Sequence, residues 1–150
     1  MAFKFEKLEV FNLSLDYIDQ VYDLIRLLPE EERFNLSNQM RRAVTSICLN
    51  IAEGSTGQTD AEQARFLGMA LRSLIETVAC QHIMRRRDYV EVDQLRGAYR
   101  SAAELATKIQ ALRNSLQSDK PWVREEFRPY PRQQPPTSAG GIESDTQDKP

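Results

Sequence analysis

Leu8, Phe11, Leu15, Ile18, Tyr22 and Ile25 step along the first part of the chain by threes and fours. That spacing lines side chains along one side of an α-helix. A second line runs beside it, through Val10, Leu13, Tyr17, Val21, Leu24 and Leu28. One line satisfies the packing of a lone bundle, whereas two predict a helix covered from two directions, and so self-association. The next segment starts near Asn35 or Ser37, either of which can cap a helix, and turns Met40, Ala43, Val44, Ile47, Cys48 and Ile51 inward. Gly54 follows its last apolar residue, where a left-handed C-terminal cap is expected. After a short polar connection, Thr59 and Glu62 have capping-box spacing. The helix they open runs toward Arg87, with Leu67, Leu71, Leu74 and Val78 on one line and Phe66, Ala70, Cys80 and Met84 beside it. A fourth helix begins near Asp93 and repeats Leu95, Ala98, Ala102, Leu105, Ile109, Leu112 and Leu116 at 3–4 spacing. Four such helices joined by short connections predict an all-α, antiparallel up-and-down four-helix bundle.

Breakers sharpen the boundaries. Before Ser118 the sequence holds one proline, Pro29, and glycines only at 54, 57, 68 and 97, whereas six of its seven prolines fall after that residue. Residues 1–118 therefore read as the bundle. Residues 119–150, with little periodic apolar pattern, read as a Pro-rich C-terminal tail without a fixed fold. Trp122, Phe127 and Tyr130 give the start of that tail the makings of a short docking motif, set against a plain solvated linker. At 150 residues the chain suits one domain, since a domain of that size buries roughly 68–70% of its unfolded surface.

Charge changes the picture more than composition does. The net charge is −2 and the pI about 5.5, which excludes a generally basic nucleic-acid glove but not a local patch. Between Glu6 and Glu32 there are 8 acidic residues against Lys7 and Arg26; between Arg33 and Arg113, 12 basic residues face 8 acidic ones. Arg41, Arg42, Arg65, Arg72, Arg85, Arg86 and Arg87 fall in this second stretch and are the candidate nucleic-acid contacts, because guanidinium groups pair bidentately with phosphates. The same arginines suit the acidic first helix of a neighbouring copy. No aromatic partner for base stacking is evident among them.

Catalytic chemistry is thinly supplied. His82 is the sole histidine, and Cys80, two positions away, points to a different helix face. Cys48, Cys80 and His82 make no plausible metal set, and neither Gly54 nor Gly57 is followed by the Lys-Ser/Thr of a phosphate loop. The expectation is a non-enzyme without cofactor or metal. With no apolar run of about 18 residues and no signal-peptide core at the start, it is expected in the cytoplasm and away from membranes. A polar line on the second and third helices stands apart. Arg42, Ser46, Asn50 and Glu53 share one face, with Ser73 and Glu76 on the adjoining helix, and the pairing predicts Arg42 within a turn of Glu76. That arrangement reads as a network fixing helix register, or as the rim of a ligand site.

One string is distinctive: Gln39-Met-Arg41-Arg42-Ala43, Ser46-Ile47, Asn50-Ile51-Ala52-Glu53-Gly54, then Phe66-Leu67, Ala70, Ser73-Leu74 and Glu76. It resembles the four-helix-bundle family encoded in intervening sequences of bacterial 23S ribosomal RNA genes, whose relatives include the accessory variability determinant of diversity-generating retroelements. The likeness spans Phe5 to Tyr89 and follows helix 4 by pattern. It implies a ring-like homo-oligomer, a pentamer, and partners among RNA or nucleic-acid-processing proteins. The retroelement members are strongly basic, a property this chain lacks. The alternative is a protein-only assembly or scaffold module that recruits a protein partner.

Overall fold

The computed structural model describes residues 2–57 and 59–117, which are helical with no strand among them. The proposed tail and its aromatics at 122, 127 and 130 lie outside the described residues. Helix α1 spans Glu9–Ile25, α2 Leu36–Gly54, α3 Asp60–Arg86 and α4 Val92–Ser115, with short 3₁₀ turns at Lys4–Lys7 and Glu30–Glu32. Each helix packs on the next, and α1 closes the circuit against α4.

The inward lines of α2 and α4 fall where their periods place them. Met40, Ala43, Val44, Ile47, Cys48 and Ile51 are buried, as are Ala98, Ala102, Leu105 and Ile109. On α1, burial follows the second line through Val10, Tyr17, Val21 and Leu24, joined by Ile25. The first line is left in part to solvent, at Leu15 and Tyr22. On α3 the inward line is Ala64, Leu67, Ala70, Leu74, Thr77, Cys80, Gln81 and Met84, so two polar residues stand in the core.

Tyr17 explains them. Thr77 Oγ1 donates to the Leu74 carbonyl at 2.7 Å, so the Tyr17 hydroxyl, 2.7 Å from that oxygen, donates to Thr77. Gln81 Nε2 in turn donates to the Tyr17 oxygen at 2.9 Å. A fully buried phenol needs such partners, and these tie α1 to α3 through the middle of the bundle. Burial also pushes the Tyr17 phenol above its usual range.

Two termini differ from expectation. Gly54 is not a left-handed cap, since no glycine among the described residues has positive φ. It is the last residue of α2, and a Cβ there would sit 2.7 Å from Phe66 Cβ on α3. Glycine at 54 therefore serves the close approach of two helices. The left-handed cap occurs instead at Asp88, φ 57°, where Tyr89 N–H reaches the Met84 carbonyl at 3.0 Å and Asp88 N–H that of Arg85 at 3.1 Å. This is the paired closure that ends many helices, and aspartate tolerates the conformation better than most side chains. At the start of α3 the threonine half of the expected capping box is present, with Thr59 Oγ1 accepting from Glu62 N–H at 3.1 Å.

Candidate nucleic-acid interface

The polar line on α2 and α3 forms only in part. Ser46 Oγ accepts from Ser73 Oγ and from Asn50 Nδ2, both at 3.0 Å, and Asn50 also reaches the Ser46 carbonyl at 2.8 Å. These three side chains lock one level of the α2–α3 contact. Arg42 does not pair with Glu76 as expected. Gln39, one turn earlier on α2, donates to the Glu76 carboxylate instead. Arg42 and Glu53 are exposed beside the network, where with Arg41, Thr45 and Leu49 they line a shallow groove of about 440 Å³. Arg42 has no ion pair among the described residues.

The candidate arginines do not make one strip. Arg41 and Arg42 lie on the outer face of α2. Arg65 and Arg72 lie on α3 in a groove of about 540 Å³ completed by Arg113 of α4. Arg85 lies further along the α3–α4 seam and holds Asp88 at 3.0 Å, while Arg86 is exposed. Arg87 turns to the α1–α2 connection, 5.9 Å from the Tyr89 ring centroid, and bonding to Tyr89 with the nearby charges of Glu31 and Glu32 raises its pKa further. Arg87 is thus engaged by its own chain.

Arg113 was not among the candidates, and the spacing within α4 alone carries no sign of its role. It is reached only through the register of α4 on α3. The Arg113 guanidinium lies over Gly68, where a Cβ would be in ordinary van der Waals contact with it at 3.5 Å. Arg113 Nε is buried without a hydrogen-bond partner. The groove is lined by Arg65, Arg72 and Arg113 with Gly68, Met69, Leu71 and Ile75, and no carboxylate is among them. None of the three arginines has an ion pair among the described residues. Arg65 lies over the Phe66 ring, 4.7 Å from its centroid. Three positive charges with no carboxylate among the residues lining one concave seam make a candidate anion site.

Comparison with known proteins sets this geometry in a family. A family model described as 23S rRNA-intervening sequence protein matches residues 6–114, from before α1 to the last turn of α4. The chain belongs to that family. No curated protein matches the chain. Among solved structures, the chain is similar to a protein of unknown function from the S23 ribosomal protein family of Bacteroides thetaiotaomicron, at 26% identity and a TM-score of 0.64. The match covers 69% of this chain and 96% of that one.

Other chemistry in this family member is sparse. No group of three metal-ligating side chains occurs among the described residues, and none of their helices is long and apolar enough to cross a membrane. Cys48 and Cys80 are buried free thiols, and burial pushes the Cys80 thiol up, away from the reactive thiolate.

One corner is tuned by acid. Asn35 Nδ2 donates to Glu32 at 2.9 Å and Tyr89 OH donates to it at 2.9 Å, holding its carboxyl below the usual range. A carboxylate depressed in the folded state contributes stability above its unfolded pKa, and that contribution is lost as pH falls through the folded value. Tyr89→Phe removes one donor, so the loss of stability between about pH 7 and about pH 3 should shrink. Urea midpoints at the two pH values check this, and an unchanged difference would contradict it.

Proposed function

We propose that this protein is a non-catalytic, RNA-binding accessory protein that works as a ring of identical antiparallel bundles in the cytoplasm. The observation that carries the reading is the α3–α4 groove, in which Arg65, Arg72 and Arg113 converge with no carboxylate among the lining residues. Phosphodiester backbones are the anions such spacing suits, and the family's association with ribosomal RNA genes makes RNA the leading ligand. Arg41, Arg42 and Arg86, exposed and without ion pairs among the described residues, extend the positive surface.

The antiparallel order of α2 and α3 is supported by three contacts: Gln39 with Glu76, Ser46 with Ser73 and Gly54 against Phe66, so that one number falls as the other rises. Self-association is supported by apolar side chains left to solvent, with Leu15 and Tyr22 on α1 and Ile75 and Ile83 on α3. A ring of five follows the family resemblance. The exposed acidic Asp16, Asp19 and Asp23 of α1 give a neighbouring copy a second claim on the arginines. That is the protein-only reading.

Light-scattering mass after size exclusion, with and without ribosomal RNA at low and moderate salt, separates the two. The expected result is a multiple of the 17.3 kDa chain that grows with RNA at low salt and returns as salt rises. An oligomer indifferent to RNA at low salt would favour the protein-only scaffold, and a monomer would contradict the ring.

A further inference from the structure

A second groove lies on the α3–α4 seam, at the end nearer the α3–α4 connection, and its chemistry differs from that of the arginine triad. It holds about 550 Å³, within the size range of small-ligand sites, and its walls are mainly apolar. Val92, Leu95 and Ala103 supply the apolar wall, while Arg85, Arg96 and Arg100 stand around it. Two rings meet there. His82 of α3 and Tyr99 of α4 lie edge to face, 6.2 Å between centroids, with Tyr99 52% exposed. At its inner side is Gln81, 2% exposed, whose amide nitrogen is committed to Tyr17. The donor order from Gln81 through Tyr17 and Thr77 to the Leu74 carbonyl fixes the orientation of that amide. Gln81 Oε1 is thereby left as a buried acceptor without a donor.

From this juxtaposition we infer that the groove takes one unpaired nucleotide, its base against Tyr99 and its phosphate toward Arg100. A flat heteroaromatic body suits an exposed ring and an apolar wall, because every base has a face that stacks on an aromatic side chain. A phosphate suits the basic rim. Arg96 and Arg85 already hold Asp93 at 2.6 Å and Asp88 at 3.0 Å, but these pairs are solvent-exposed and weakly held. Arg100 has no ion pair among the described residues and is the free anchor. A base amine is the kind of donor that Gln81 Oε1, on the groove's inner wall, lacks. The proposal deepens the RNA reading and rests on it for the source of the nucleotide, which is either free or part of a single strand.

The test titrates the full-length protein with adenosine 5′-monophosphate, with a twelve-residue oligoadenylate and with inorganic phosphate. Saturable binding of the monophosphate or the oligonucleotide is expected, tighter than that of phosphate. Tyr99→Ala should weaken it about tenfold, Tyr99→Phe should keep it, and Arg100→Ala should weaken it. Binding of both nucleotides identifies free nucleotide as sufficient; binding of the oligonucleotide alone, with the same Tyr99 dependence, assigns the groove to RNA. Oligonucleotide binding that ignores Tyr99→Ala overturns this groove while leaving the arginine triad intact. Loss of RNA binding in Arg65→Ala/Arg72→Ala/Arg113→Ala with Tyr99-dependent monophosphate binding preserved supports this groove as a site separate from the triad. Tyr99→Ala that changes only the mass of the oligomer also overturns the proposal and gives the groove to a neighbouring copy.

Discussion

Replacing Gly54 with valine should destabilise the bundle by about 3 kcal/mol, the upper part of the range for overpacking. The Cβ of any side chain at 54 meets Phe66 Cβ at 2.7 Å, which is backbone-proximal and cannot swing aside like the end of a long side chain. Valine adds two methyl groups to that clash. In a bundle of this size the loss lowers the melting temperature by roughly 3–6 °C per kcal/mol, read at one protein concentration because assembly adds its own stabilisation. If close approach is the cause, Gly54→Val and Phe66→Gly, which removes the Cβ that the new side chain meets, should together cost less than the sum of the two, by about 0.5–3 kcal/mol. Strict additivity, or a Gly54→Val protein that melts like the parent, would remove the helix contact as the reason for glycine.

The second large effect is expected at Tyr17. Tyr17→Phe keeps the ring but leaves the Gln81 amide with neither polar group paired, and a buried group stripped of its partner costs about 1–3 kcal/mol. Adding Gln81→Leu should recover part of the loss, because replacing both partners by apolar groups can be close to neutral. Urea midpoints of the two proteins decide it. A Tyr17→Phe protein as stable as the parent would mean that the network contributes no net stability.

What the sequence shows, and what it hides, follows from how each feature is encoded. The inward faces of α2 and α4 repeat at helical spacing with apolar residues, so Met40, Ile47, Ala102 and Ile109 are legible without a structure. Thr77 and Gln81 are not, because a polar residue normally marks the solvent side. The available signal was that Tyr17, on an inward line, needs a partner for its hydroxyl, and Thr77 and Gln81 lie one turn apart on the line between Leu74 and Met84.

Residues brought together by helix register are hidden more completely. Spacing within α2 places Arg42 near α3 but cannot distinguish it from Gln39, and it is Gln39 that reaches Glu76. Arg113 and Tyr99 belong to α4, whose alignment on α3 is set by packing over the whole seam rather than by any local motif. Tyr99 and Arg100 are neighbours in the sequence, but only the packing of α4 on α3 shows that Tyr99 and Arg85 share one groove. Gly54 carried the opposite lesson. A glycine after an apolar run usually closes a helix in the left-handed region, yet here it admits Phe66, and the left-handed residue is Asp88.

The central claim is phosphate recognition by Arg65, Arg72 and Arg113. The measurement that tests it most directly is the salt dependence of RNA affinity for the parent and for Arg65→Ala/Arg72→Ala/Arg113→Ala, with thermal melting as the control for folding. Three lost contacts on a single strand should flatten the slope of log affinity against log salt by about 2, with weaker binding at low salt and an unchanged oligomer. A variant that folds, assembles and binds RNA with the parent's slope and affinity would contradict the account.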